Sequence, residues 1–261
     1  MQNTQDMIQR LNLSGSRLSK SHRRIAEYIL QHYDKAVFMT AAKLGEMVNV
    51  SESTVVRFAV ALGYEGYPEL QQALQELVRH RLTATQRFEM SSDISQEEVL
   101  STVLKADMQN IRSTIDGIDN AAFLRAVQVI SGARRIYILG LRSAAPLAQF
   151  AGYYLHYIFD DVRVVAAGST DVFEAISRIE ASDVLLGISF PRYSSRTIEA
   201  MSFARSRHAQ VIGLTDGPMS PLHEVADICL SMRTDMASFV DSMAAPMSVI
   251  NALIVALGIQ N

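Results

Sequence analysis

The sequence predicts an all-α N-terminal domain followed by an α/β domain built on a doubly wound, five-stranded parallel sheet. Residues 1–82 space apolar side chains for helices, as in Ile25, Ile29, Leu30 and Tyr33, and hold no alternating run of the kind a half-buried strand needs. From Arg135 onward, the runs "RIYILG", "VRVVAA", "DVLLGISF", "AQVIGLTD" and "DICLSM" are apolar at nearly every position and alternate with helical stretches. Strands apolar on both faces and separated by helices belong to a parallel sheet sandwiched between helix layers. Between the two patterns lies "TATQRFEMSSDISQEE", polar and almost free of aliphatics. The expected organisation is therefore a helical domain at 1–82, a linker at 83–96 and an α/β domain at 97–261.

In the first domain, "AAKLGEMV" reads as a short helix from about Ala41 to Val48, "NVS" as a tight turn, and Ser51 to Leu62 as a second helix. That is helix-turn-helix spacing. Ser51 is placed to cap the second helix by accepting a backbone N–H, and Glu52 suits the positive end of its dipole. Wound at about 100° per residue, the helix puts Val55, Phe58, Ala59 and Leu62 on one face. Ser53 and Arg57 point the opposite way, with Thr54 at the shoulder. Small hydroxylated residues at a helix N-terminus approach phosphates and base edges closely, and an arginine one turn on reaches guanine or phosphate. Lys43, Arg23 and Arg24 are candidates for flanking phosphates, although basic residues on exposed helices are more often simply solvated.

After the linker, Leu100, Leu104, Met108, Ile111 and Ile115 form an apolar stripe. A further helix runs through Phe123, Leu124, Val127 and Ile130 to stop at Gly132. Both are expected to cover the sheet. In "RIYILGLRSAAPLAQFAGYYL", Gly140 ends a strand and Ser143 precedes a helix, where a doubly wound fold offers backbone N–H groups to an anion. "ISFPRYSSRT" holds the equivalent place after "DVLLG", so the two loops should meet at neighbouring strand ends and share a pocket. Ser143, Ser189, Ser194, Ser195 and Thr197 supply hydroxyls, Arg142, Arg192 and Arg196 positive charge, and Tyr193 a ring to stack or hydrogen-bond. Read without a ligand, the same loop has Arg192 and Arg196 pairing with carboxylates such as Glu199 or Asp216, Pro191 shaping a turn, and Ser194 or Ser195 capping a helix. The chain ends in an apolar helix from Met243 and Met247 through Leu253 and Leu257, a face that packs on a core or a partner subunit.

Bulk properties narrow the classes. With 261 residues and 49% hydrophobic content, the chain supports at least one real core. No segment approaches the ~18–20 apolar residues of a membrane span, and "MQNTQDMIQR" lacks the layout of a secretory signal, so a cytoplasmic protein is expected. The single cysteine, Cys229, cannot form an internal disulfide and sits in a strand-like run, where packing is its expected role. Residues 1–82 carry 10 basic and 8 acidic groups against 14 and 19 in the remainder. This mild polarity fits an anion-binding head on an acidic body, or equally two solvated surfaces.

"LSKSHRRIAEYIL" followed by "VSESTVVRFAVALGYEGYPELQQAL" resembles the helix-turn-helix head of RpiR-type bacterial transcription regulators. The resemblance implies double-stranded operator DNA as a partner and carries recognition onto Ser51, Ser53, Thr54 and Arg57. The second part resembles a SIS (sugar isomerase) domain: "DVLLGIS" leads its signature loop, and "AQVIGLTDGPMSPLHEVADICLSM" is similar to its later pattern. SIS domains typically bind phosphosugars, and in RpiR-type regulators they follow the head, so the likeness spans roughly residues 10–257. Two departures stand out. The common Ser-Gly-x-Thr phosphate loop is replaced by Ser-Phe-Pro-Arg-Tyr-Ser-Ser-Arg-Thr, and Gly-x-[GS]-x-S by Gly-Leu-Arg-Ser. Loss of glycine sacrifices close backbone approach, and the added arginines restore anion affinity through side-chain charge. Family members commonly continue beyond the last apolar helix, so this chain is expected to be short or truncated.

A sugar isomerase needs a base beside a carbonyl. His156, Glu174, Glu199, His223 and Glu224 are candidates, but none sits in a catalytic signature, and His156 in "YYLHYIF" reads as a core histidine. His22, His32, His80 and His208 show no metal-ligand spacing, and no zinc motif, P-loop or nucleophile elbow occurs. No metal or cofactor is expected. Three readings remain: a regulator controlled by a small anionic metabolite and acting as a homodimer or homotetramer, a regulator whose second domain only assembles subunits, and a phosphosugar isomerase with a helical appendage.

Overall fold

The computed structural model describes residues 19–37, 39–79, 95–166, 171–237 and 240–260. The chain divides into two compact units between Ile94 and Ser95. Most of the expected linker, and His80, lie outside the described residues.

The first unit is helical throughout its described residues: α1 (Lys20–Gln31), α2 (Tyr33–Ala36), α3 (Ala41–Val48), α4 (Glu52–Ala61) and α5 (Tyr67–Arg79). Ser19 and Thr40 start α1 and α3 by accepting the N–H groups of His22 and Lys43. Ile25, Ile29, Leu44, Val55, Phe58, Leu70 and Leu74 form the buried centre. Tyr67 donates its hydroxyl to the Met39 carbonyl at 2.7 Å, and Gln71 donates to the same oxygen at 3.0 Å, which ties α5 to the residues entering α3. Burial pushes the Tyr67 phenol up to about 12.

The second unit runs α6 (Val99–Gly117), α7 (Asn120–Ser131), β1 (Ile136–Gly140), a 3₁₀ turn (Arg142–Ala144), α8 (Ala145–Leu155), β2 (Val162–Ala166), α9 (Val172–Ile176), β3 (Val184–Ile188), α10 (Ser195–Ser206), β4 (Gln210–Thr215), α11 (Leu222–Val225), β5 (Ile228–Ser231) and α12 (Ala244–Gln260). All five strands are parallel, in the order β2-β1-β3-β4-β5. Ile136, Ile138, Leu186, Ile212 and Leu214 face α7, α8 and α12, while Tyr137, Leu139, Leu185 and Val211 face α9, α10 and α11. Arg134 forks onto the fully buried carboxylate of Asp183 with two 2.9 Å bonds, joining β1 and β3 at their amino ends. The fully buried strands of the expectation are β1 and β3; β2 is an edge strand that leaves Arg163 and Val164 exposed.

Two expectations are corrected. The apolar stripe of α6 does not cover the sheet: Leu100, Leu104, Met108 and Ile115 are 54–71% exposed. Asn110 and Thr114 are the buried residues of α6. The side chain of Asn110 donates to the Asp235 carbonyl and accepts the Asp235 N–H, and the Thr114 hydroxyl accepts the Arg233 N–H. His156 is likewise no core residue. It lies exposed at the end of α8 with Nδ1 against the Gly152 carbonyl, because the helix ends there and its apolar face has already turned inward.

Candidate functional site

The turn between α3 and α4 is set by Asn49, in the left-handed region at φ 54°, and by Gly45, where an added Cβ would lie 2.8 Å from the Val50 carbonyl oxygen. Ser51 holds the N-cap position of α4, but its hydroxyl makes no capping bond, contrary to expectation. That oxygen lies 3.0 Å from Ser53 Oγ and 2.8 Å from Thr54 Oγ1, and this hydroxyl cluster takes the place of the cap. Arg57 folds back over it, donating to the Ser53 carbonyl at 3.3 Å and to Thr54 Oγ1 at 3.5 Å. Val55, Phe58, Ala59 and Leu62 are buried beneath, so the helix presents one compact polar face of Ser51, Ser53, Thr54 and Arg57. Lys43 on α3 forms an exposed 3.5 Å pair with Glu46. His22 stands edge-on to Phe58, and its burial, with the Arg57 charge beside it, holds its pKa below the ordinary histidine value.

In the α/β unit, Gly140 pairs with Ile188, so β1 and β3 end side by side and their following turns face each other. A Cβ on Gly140 would lie 2.6 Å from the Ala144 carbonyl oxygen, which explains why glycine closes this turn. Arg142 and Arg192 both adopt left-handed backbone, at φ 57° and 67°. Strain at non-glycine positions of this kind collects at functional sites. Arg142 donates to the Arg192 carbonyl at 3.1 Å, joining the turns. Between them lies a small cavity, partly open to solvent, walled by Arg142, Ser143, Ser189, Arg192 and Ser194 on the polar side and by Phe190 on the apolar.

The structure thus brings five of the nine candidate pocket residues onto one cavity. Ser194 starts α10 by accepting the Thr197 N–H, and its own N–H donates to Ser189 Oγ at 3.3 Å. Tyr193 turns to Asp216, donating its hydroxyl at 2.7 Å. Ser195 and Arg196 are exposed on α10, with Arg196 3.4 Å from Asp171. Thr197 is fully buried, and among the described residues its Oγ1 finds no hydrogen-bond partner. Arg192 is bound through both terminal nitrogens by the carboxylate of Asp241, which is itself 6% exposed. Among the described residues the carboxylates seen on these arginines are Asp241 and Asp171. Neither has a local signal, since each lies 25 or more residues from its arginine. No carboxylate or imidazole is among the described residues lining the cavity, and no helix among them is long and apolar enough to cross a membrane.

Residues 5–80 match the helix-turn-helix domain of the rpiR family, and residues 129–256 match the SIS domain. The HTH-type transcriptional regulator HexR of Escherichia coli (strain K12) is 27% identical over 254 residues, covering 95% of this chain and 86% of that protein. HexR of Pseudomonas aeruginosa is 28% identical, over 87% of this chain and 79% of the relative. Among solved structures, the sugar isomerase domain of an RpiR transcription factor from Sphaerobacter thermophilus aligns with a TM-score of 0.60 at 24% identity, covering 62% of this chain and 91% of that one. Vibrio vulnificus NanR, complexed with ManNAc-6P, aligns over 98% of this chain and 92% of its own with a TM-score of 0.57 at 21% identity. The two matched domains, in this order, place the chain in the RpiR family of helix-turn-helix transcription regulators that carry a SIS domain.

Proposed function

We propose that this regulator binds operator DNA through the polar face of α4 and takes a small anionic metabolite, of the phosphosugar class, into the cavity between the β1 and β3 turns. The observation that carries the reading is the convergence of Arg142, Ser143, Ser189, Arg192 and Ser194 on one cavity at the carboxyl ends of adjacent parallel strands. Doubly wound folds receive ligands there, at the point where strand order reverses. Ser53, Thr54 and Arg57 read base edges, and Ser51 and Lys43 approach phosphates. The bound ManNAc-6P in NanR supports the ligand class.

Two or more copies, as a homodimer or homotetramer, present paired α4 helices to half-sites along the operator. The exposed apolar stripe of α6 supplies a surface for a second copy. Ligand then acts through its unequal affinity for two subunit arrangements. Such a protein works in the cytoplasm, where the chromosome is. The described lining, built of serines and arginines, suits anion binding and so a sensor. A second reading, assembly without a metabolite, draws on the ion pairs that already neutralise Arg192 and Arg196.

Thermal-shift screening of phosphosugars separates the two. At 100 times its Kd, a ligand selective for the folded state adds about 2.7 kcal/mol of stability. At least one phosphosugar should raise the melting temperature of the wild type, and Arg142→Ala should abolish the rise while leaving DNA binding intact. No rise with any phosphosugar leaves the assembly reading.

A further inference from the structure

The geometry points to Asp241 as an internal competitor for the anion site: its carboxylate holds the Arg192 guanidinium, and an incoming ligand must carry more negative charge than one carboxylate to displace it. This inference rests on the anion-pocket reading above and names the residue that sets its selectivity. Arg192 lines the cavity and is the link between the two turns, because its carbonyl receives Arg142. Its charge is nevertheless satisfied from outside that wall by Asp241, 49 positions along the chain and 94% removed from solvent. A bidentate carboxylate on a guanidinium, screened from water, is far stronger than an exposed pair. A monoanionic carboxylate ligand replaces like with like and gains little. A phosphate dianion brings a second charge and a third oxygen, and Arg142, which has no carboxylate partner among the described residues, stands ready for it.

The residues around Asp241 show where displacement would be felt. Ser242 donates its hydroxyl to Asp107 on α6 at 2.6 Å and accepts the Ala244 N–H that begins α12. Asp235 and Arg233 are bonded to Asn110 and Thr114, further along α6. The residues after β5 therefore connect the Arg192 guanidinium to the buried edge of α6, the first described helix of the second unit. Exchange of Asp241 for a ligand anion loosens that attachment, so occupancy is transmitted by breaking one ion pair.

Calorimetric titration with inorganic phosphate and with acetate tests this on the full-length wild type and Asp241→Asn, a near-isosteric change. Phosphate should bind Asp241→Asn at least about tenfold more tightly than wild type, as expected when a desolvated competing charge is removed, and acetate should bind the variant alone. Phosphate binding equal to or weaker than that of wild type overturns the competitor role while leaving the pocket. Failure of phosphate to bind either protein overturns the pocket reading and this inference together. Hydrogen exchange on the wild type gives an answer that needs no variant: phosphate should speed exchange of the Arg233 and Asp235 amides. Slower or unchanged exchange at both would contradict the transmission through Asp241.

Discussion

Arg57 in the helical unit and Arg192 in the α/β unit serve opposite designs. Arg57 lies on an exposed face and spends its donors on a backbone carbonyl and a hydroxyl of its own helix, with no carboxylate among its described partners. Arg192 is mostly buried and already paired with Asp241. In the proposed function the first keeps a whole charge for a polyanion whose recognition is governed by phosphate attraction and counterion release. On the exchange proposed above, the second would give up its partner only to a more highly charged anion, and so would discriminate among anions instead of attracting all of them. The proposed regulator uses both properties: steady affinity for DNA in one unit and conditional affinity for a metabolite in the other.

The largest effect that would sharpen this contrast is on DNA. Arg57→Ala should weaken specific operator binding by about 1–3 kcal/mol, roughly five- to 150-fold, with the fold retained, because the side chain is exposed and supports no core residue. Equal binding by both proteins in a gel shift at fixed salt would remove the recognition assignment. Arg196→Ala is the smaller test. Its pair with Asp171 is 3.4 Å long, with side chains 61% and 42% exposed, so chemical denaturation should register about 1 kcal/mol or less. A larger loss would mean that Arg196, like Arg192, belongs to a desolvated pair.

The smallest effect concerns pH. Burial and the Arg57 charge lower the pKa of His22 in the folded head relative to the ordinary value of 6.5. The unfolded chain therefore takes up this proton first as pH falls. Stability from His22 is fully present above pH 6.5 and is lost as the solution is acidified through and below that value. Denaturation midpoints of the head should fall over this range in the wild type and less steeply in His22→Gln. Identical slopes would show that His22 contributes nothing to the acid sensitivity.

The difference between the two units also explains what could be read from the chain. The head was legible almost to the residue, because α3, the Asn49 turn and α4 are contiguous and their two faces are fixed by local period alone. Only the Ser51 cap failed, since a serine oxygen close to two other hydroxyls has a choice of partners. The sheet, its strand count and the meeting of the two turns were equally visible in the apolar runs. On α6 the period revealed two faces but not which one is buried. Asn110 and Thr114 face inward because backbone groups at 233–235 satisfy them, and a helix pattern carries no information about residues more than a hundred positions away. Asp241 escaped notice for the same reason. It precedes the last helix in "FVDSMAAP", where an aspartate reads as ordinary loop chemistry, and only the folded chain brings it to Arg192.

The most direct measurement is fluorescence anisotropy of the full-length protein on an operator fragment selected from random DNA, titrated with phosphosugars at constant ionic strength. At least one phosphosugar should shift the binding midpoint of the wild type, and the shift should vanish in Arg142→Ala while DNA affinity without sugar stays unchanged. A shift of equal size in Arg142→Ala would contradict an anion held between the β1 and β3 turns.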